Sequence, residues 1–144
     1  MFDAAGKGRL AAIVRELDIP VPFDLAEFAA RLERRRNRPI VLCPFTSGPG
    51  MPCGLWLITA NADYVYYEAS TSPLHAAHIA LHELAHLLLG HGGAAAWQRS
   101  VRLLAPDVDQ TLIKRILGRS TYKTAEEREA ETLASFILSG LATG

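Results

Sequence analysis

Three residues with clear chemical potential, His82, Glu83 and His86, form the pattern His-Glu-Leu-Ala-His. They lie in an apolar stretch from Leu81 to Leu89 that is typical of a helix. A spacing of four residues places both imidazoles on one helix face, one turn apart, where they can share a Zn²⁺ ion. Glu83 is rotated by about 100° from His82 and can reach a water molecule on the metal's open side. The pattern therefore predicts a hydrolytic zinc site with Glu83 as its general base.

The competing interpretation is a buried helix in which two histidines and an acid are hydrogen bonded without a metal. That arrangement buries three polar side chains together, which costs free energy unless each of them finds a partner. A metal site is the more economical explanation of the pattern, and we favour it.

A catalytic zinc site needs a third protein ligand, and the predicted C-terminal helix offers several acids. Glu129 lies four residues before Leu133 and eight before Ile137, which belong to the apolar stripe of that helix. It is therefore expected to point inward, where Zn²⁺ would supply a counter-charge. Glu126, in the first turn, is the second candidate, whereas Glu127 and Glu131 are expected to point toward the sides.

His91 is the remaining candidate ligand. On a continuing helix it lies about 180° from His82, so it is expected to face away. Adding His91 to three other protein ligands would close the coordination shell and make the zinc structural. The oxyanion of a hydrolytic reaction would need a separate donor, for which His78, His91 and Tyr122 are candidates.

Composition indicates a globular protein, because 49% of the 144 residues are hydrophobic and 21% are charged. Fifteen basic and fifteen acidic residues cancel, which argues against a nucleic-acid partner. An arginine-rich segment is attributed to cations at a helix C-terminus rather than to an anion-binding patch: Arg31, Arg34, Arg35, Arg36 and Arg38. We find no signal peptide and no apolar run that could span a membrane, so a cytoplasmic location is expected.

The chain is predicted to form one α+β domain over residues 1–144. Two helices occupy residues 1–38, the second capped by Asp24, and a small three-stranded antiparallel sheet occupies 39–70. The metal-binding helix lies in 73–91 and opens at Ser72-Pro73, and further helices occupy 94–141. The strand Tyr64–Glu68 is a candidate edge for pairing with an extended substrate, although a packing role is equally consistent. Cys43 and Cys53 are expected to be free thiols.

Two motifs resemble the ImmA/IrrE family of zinc metallopeptidases: His82-Glu-Leu-Ala-His86-Leu-Leu-Leu-Gly-His91 and Glu127-Arg-Glu-Ala-Glu-Thr-Leu-Ala134. The resemblance implies a zincin-type helix with His82, His86 and Glu129 as zinc ligands and Glu83 as the catalytic acid/base. It further implies a role in stress response or gene regulation through cleavage of a helix-turn-helix repressor. The chain departs from the family in having Glu131 where Asn or Asp is usual, and in lacking a proline after Leu138.

An alternative from a different class is a non-catalytic zinc-binding regulator that acts by binding a repressor or an antitoxin-like partner. It would keep the metal-binding fold without turnover. The sequence does not specify the substrate, the cleavage site or the oligomeric state.

Overall fold

The computed structural model describes residues 4–46, 53–58, 62–91 and 124–139. Helices and strands combine in an α+β fold, as the sequence predicts. The elements in chain order are α1 (Ala4–Glu16), α2 (Leu25–Arg36), β1 (Ile40–Phe45), β2 (Gly54–Ile58), β3 (Asp63–Glu68), α3 (Pro73–Leu89) and α4 (Thr124–Ser139). Of the range 94–141, in which further helices are predicted, residues 94–123, which include Tyr122, and residues 140–141 lie outside the described residues. No helix within the described ranges is both long and apolar enough to cross a membrane.

The three strands form a mixed sheet in the order β1-β3-β2, so the prediction of an antiparallel sheet is wrong for one pair. β2 and β3 are antiparallel, with Leu55 opposite Tyr66, because a short connection joins them. β1 pairs in parallel with the other side of β3, with Leu42 opposite Val65. Periodicity along a strand predicts its two faces but not its neighbours, so this order could not be predicted from the pattern.

The strand order changes two functional expectations. β3 has partners on both sides, so Tyr64–Glu68 cannot serve as an edge for substrate. Cys43 lies on β1, whereas the carbonyl of Cys53, just before β2, accepts a hydrogen bond from Glu68 of β3. With β3 between them, the cysteines are separated by two strand spacings of about 4.8 Å each, beyond the reach of a disulfide. Both are free thiols, as expected.

Helix α3 has the ends that its sequence predicts. The Ser72 hydroxyl accepts a hydrogen bond from the backbone N–H of His75 at 3.2 Å, and Pro73 occupies the first turn, where no intrahelical donor is lost. Gly90 ends the helix in the left-handed conformation, with φ of 73°. The following N–H, of His91, donates back to the carbonyl of His86 at 3.0 Å. These caps fix both the position and the exit direction of the helix.

The hydrophobic core surrounds α3, which packs against β2 and β3 on one side and against α4 on another. Burial of apolar surface is the main stabilising contribution to such a core. The fully buried hydrophobic side chains that the two helices bring to the core include Ala80, Leu81, Leu84 and Ala85 of α3, and Ala130, Leu133 and Ala134 of α4. Leu10 and Val14 of α1 and Phe28 of α2 complete the core. The helix with the His-Glu pattern is therefore the central element of the core.

The arginines at the end of α2 make intramolecular contacts. Asp63 is buried, with 1% of its surface exposed, and accepts hydrogen bonds from Arg36 at 2.7 Å and Arg38 at 3.2 Å. Arg31 pairs with Glu27 and Asp18, and Arg35 donates to a backbone carbonyl of α1. These pairings favour the structural interpretation of the basic segment over an anion-binding patch.

Candidate metal centre

His82, His86 and Glu127 bring three potential ligand atoms to one point. The Nε2 atoms of the two histidines lie 3.2 Å apart, and each lies 2.8 Å from the same Oε1 of Glu127. Ligand atoms at about 2.0–2.1 Å from a tetrahedral zinc ion are about 3.3 Å from one another. The group therefore fits a small divalent cation after a slight outward movement of the carboxylate. It is the one such group among the residues that the structure describes.

The second nitrogen of His82 supports this interpretation. Its Nδ1 lies 3.0 Å from Oε1 of Glu131, a carboxylate oxygen that can accept a hydrogen bond. A proton on Nδ1 satisfies that contact and leaves a lone pair on Nε2. That lone pair then faces the Glu127 carboxylate and the ring of His86. Electron-pair donors that converge on one point need a positive charge between them, which a shared proton or a metal ion can supply.

The electrostatics of the three residues point the same way. Burial would lower the pKa of His82, but its hydrogen bond with Glu127 and the nearby charges of Glu83 and Glu127 raise it above its usual value. Burial would raise the pKa of Glu127, but hydrogen bonds with His82 and His86 lower it. Burial lowers the pKa of His86 to about 4, so its ring is neutral and available as a ligand at neutral pH. The cluster thus holds an ionised carboxylate and favours one positive charge beside it.

Glu83 lies on the adjacent face of α3, against the edge of the sheet. It is buried, with 7% of its surface exposed, and burial raises its pKa to about 7. The negative charge of Glu127 adds to this rise, whereas the ring of His82 opposes it. The carboxylate approaches the backbone of Gly54 so closely that a Cβ atom there would lie 2.9 Å from Oε2 of Glu83. Gly54 therefore permits the position that Glu83 occupies.

Glu129, the predicted third ligand, does not join this group. It points inward as predicted, with 17% of its side chain exposed, but its counter-charge is Arg9 rather than the expected Zn²⁺. One carboxylate oxygen lies 2.7 Å from Nε2 of His91, and the other forms an ion pair with Arg9. Glu127 replaces it as the residue that meets both metal-helix histidines. Glu126, the second candidate, is not part of the group either.

Glu127 was missed because the core-facing stripe of α4 was centred on Leu133 and Ile137. Helix α3 instead packs against the adjacent face of α4, the face that carries Glu127 and Glu131. Both of these residues contact histidines of α3. Glu127 precedes the fully buried Ala130 by three residues and Ala134 by seven, spacings that place all three on one helix face. The small alanines, which allow a close approach of two helices, were the signal in the sequence that could have identified this face.

The remaining histidines surround the group without joining it. His78 contacts the second oxygen of Glu131 at 2.8 Å, so Glu131 bridges His78 and His82. His75 contacts the hydroxyl of Thr71 at 3.0 Å at the exposed start of the helix. His91 contacts Nδ1 of His86, on the opposite side of the ring from Glu127, and so cannot bind the ion that Nε2 would bind. Among the described residues, three potential ligands are thus available to one ion.

Comparison with known proteins identifies no relative, since no protein-family model, curated protein or solved structure matches the chain. The functional argument therefore depends on the geometry and chemistry of the site itself.

Proposed function

We propose that this protein is a zinc-dependent endopeptidase that cleaves a cytoplasmic protein. His82, His86 and Glu127 would hold the zinc, and Glu83 would be the general base. The observation that carries the proposal is the convergence of three electron-pair donors at one point, beside a buried carboxylate whose pKa is near 7. Two imidazoles and one carboxylate are a ligand set of catalytic rather than structural zinc sites.

Bound zinc supplies the Lewis acidity that activates water and polarises a peptide carbonyl at neutral pH. The carboxylate of Glu83 accepts the proton of the attacking water and then delivers it to the nitrogen of the leaving amine. Burial raises the pKa of Glu83 in the metal-free site, whereas the charge of a bound Zn²⁺ would lower it, so the carboxylate of the zinc-loaded protein would be ionised and able to accept a proton at neutral pH. Glu131 holds the proton of His82 on Nδ1 and keeps Nε2 available as a ligand.

The edge strand β2 is the proposed contact for the substrate. It pairs with β3 on one side, and its first residue, Gly54, lies against Glu83. An extended peptide that adds to the outer edge of β2 would bring its backbone toward the general base. In this proposal β2, rather than the strand Tyr64–Glu68, pairs with the extended substrate. The resemblance to ImmA/IrrE peptidases suggests a helix-turn-helix repressor as the protein that is cleaved.

The first test is the zinc content of the purified protein by elemental analysis. The wild type should carry about one zinc per chain, and Glu127→Ala should lose most of it, because one of three ligands is removed. Glu126→Ala is the matched control on the same helix turn and should retain zinc. A wild type without zinc after reconstitution would refute the proposal. Greater loss in Glu126→Ala than in Glu127→Ala would move the third ligand.

The second test compares wild type with Glu83→Gln on a library of peptides derived from a proteome, with new amino termini counted by mass spectrometry. The amide preserves the shape of Glu83 but cannot accept the proton of water, so zinc should be retained and cleavage lost. Equal cleavage by both proteins would contradict the assigned role of Glu83. Zinc in both proteins with cleavage in neither would instead favour the non-catalytic regulator.

A further inference from the structure

A row of hydrogen bonds leads away from the metal centre on the far side of His86. Nδ1 of His86 lies 2.8 Å from Nδ1 of His91, and Nε2 of His91 lies 2.7 Å from Oε1 of Glu129. The second oxygen of Glu129 is paired with Nη2 of Arg9. Four residues from α1, the end of α3 and α4 are thus connected in a line that begins at a candidate ligand.

We propose that His91 and Glu129 are positioning residues that fix the proton and the ring orientation of His86 for metal binding. The proposal rests on the zinc site described above and extends it. A neutral imidazole carries one N–H and one lone pair. If Nε2 of His86 offers its lone pair to the metal, its proton must lie on Nδ1, where it is donated to His91.

The rest of the row then has one consistent arrangement. His91 accepts at Nδ1, so its own proton lies on Nε2 and is donated to the carboxylate of Glu129. Glu129 accepts with one oxygen, while the guanidinium of Arg9 neutralises the other. Each donor meets one acceptor, and the direction of every hydrogen bond follows from the ligand role of His86.

Burial and backbone geometry hold this row in place. His86 is fully buried and His91 is 6% exposed, so water competes little for their ring nitrogens. The left-handed turn at Gly90 brings residue 91 back beneath His86, where its backbone N–H also donates to the carbonyl of His86 at 3.0 Å. A continuing helix would have carried His91 to the opposite face.

The assignment also explains why an inward-pointing acid on α4 is not itself a ligand. Glu129 would act on a bound metal through two rings, whereas Glu127 contacts Nε2 of His86 directly. Groups that orient metal-binding histidines in this way typically change metal affinity by about 10- to 100-fold when they are removed. A direct ligand would change the coordination of the metal as well.

The experiment measures zinc affinity by competition with a chromophoric chelator and records the visible absorption spectrum of the Co²⁺-loaded protein. His91→Ala should weaken zinc binding by about 10- to 100-fold while the Co²⁺ spectrum keeps its shape. His91→Gln should recover part of the affinity, because the amide oxygen can accept from His86 and the amide N–H can donate to Glu129. His75→Ala, an exposed histidine of the same helix, is the matched control and should bind zinc as the wild type does.

Because the two residues act in series, Glu129→Ala should cost little further affinity once His91 is alanine. Wild-type affinity in His91→Ala would overturn the proposal, as would fully additive losses in the double variant. A Co²⁺ spectrum showing a lost ligand in His91→Ala would overturn it by making His91 a ligand. If alanine at 91 prevents folding, His91→Gln and Glu129→Gln provide the same comparison. A wild type that binds no zinc would refute the proposed function instead.

Discussion

Substitution of Gly54 by alanine tests whether the position of Glu83 controls turnover. The added Cβ would lie 2.9 Å from Oε2 and 3.0 Å from Cγ of Glu83, and 3.1 Å from Cγ2 of Ile79. Ordinary contacts begin at 3.4 Å, so the carboxylate and the adjacent turn of α3 must move by about half an ångström. The β-branched Ile79 limits movement on the other side, since its χ1 angle is restricted within a helix.

The magnitude follows from that displacement. A misplacement of about 1 Å in a catalytic group can cost about 100-fold in rate, so half of it should lower kcat/KM by about tenfold. The overpacking should also lower the free energy of unfolding by about 1–3 kcal/mol. Zinc affinity should stay within about threefold of the wild type, a change of less than about 1 kcal/mol in binding free energy. The reason is that the crowded atoms belong to Glu83 and Ile79 rather than to the ligands.

The assay measures zinc content, urea denaturation and cleavage of one peptide identified from the library, for Gly54→Ala and for Gly8→Ala. Gly8 lies in α1 with nothing within 4 Å of the position its Cβ would take, so alanine there should leave cleavage unchanged. It should also raise stability by about 0.5–1 kcal/mol, as expected for glycine replaced within a helix. Wild-type cleavage and wild-type stability in Gly54→Ala would refute the reasoning.

Three further predictions concern pH, stability and metal linkage. In the metal-free protein, burial raises the pKa of Glu83 from 4.5 to about 7, so its contribution to folding is complete below pH 4.5 and is lost as the pH rises through 7. The unfolding free energy of the wild type, measured by urea titration, should therefore fall relative to that of Glu83→Gln by roughly 3 kcal/mol between pH 4 and 8. A difference between the two proteins that stays constant with pH would contradict this prediction. Replacement of the buried Asp63 by alanine removes an acceptor shared by Arg36, Arg38 and the indole N–H of Trp56, and should cost about 2–3 kcal/mol in urea denaturation. The exposed Asp18→Ala should change the stability little. Zinc at a concentration of 100 times its Kd should raise the unfolding free energy of the wild type by about 2.7 kcal/mol, measured as a higher Tm. An equal rise in Tm for Glu127→Ala at the same zinc concentration would argue against Glu127 as a ligand.

Local features of the metal helix could be predicted because they depend on near neighbours in the sequence. Ser72 and Pro73 begin α3, and Gly90 ends it, through hydrogen bonds and backbone conformations that involve residues within one turn. The placement of His82 and His86 on one face follows from helical geometry alone. These are the features in which the structure agrees with the sequence.

The relations between elements could not be predicted in the same way. Whether Glu127 or Glu129 meets the histidines depends on which row of α4 lies beneath α3, a property of the packed pair rather than of either helix. The parallel pairing of β1 with β3 likewise depends on how the chain crosses the sheet. His91 turned inward because the left-handed Gly90 reversed the path of the chain.

The two helices that carry the candidate ligands are joined by a long stretch of chain, since His86 and Glu127 are 41 residues apart. Their registration depends on the contact between α3 and α4, which bury alanines and leucines against each other. Because this contact sets the registration, a change in the length of the connecting sequence that leaves the contact intact should leave the geometry of the candidate ligands unchanged.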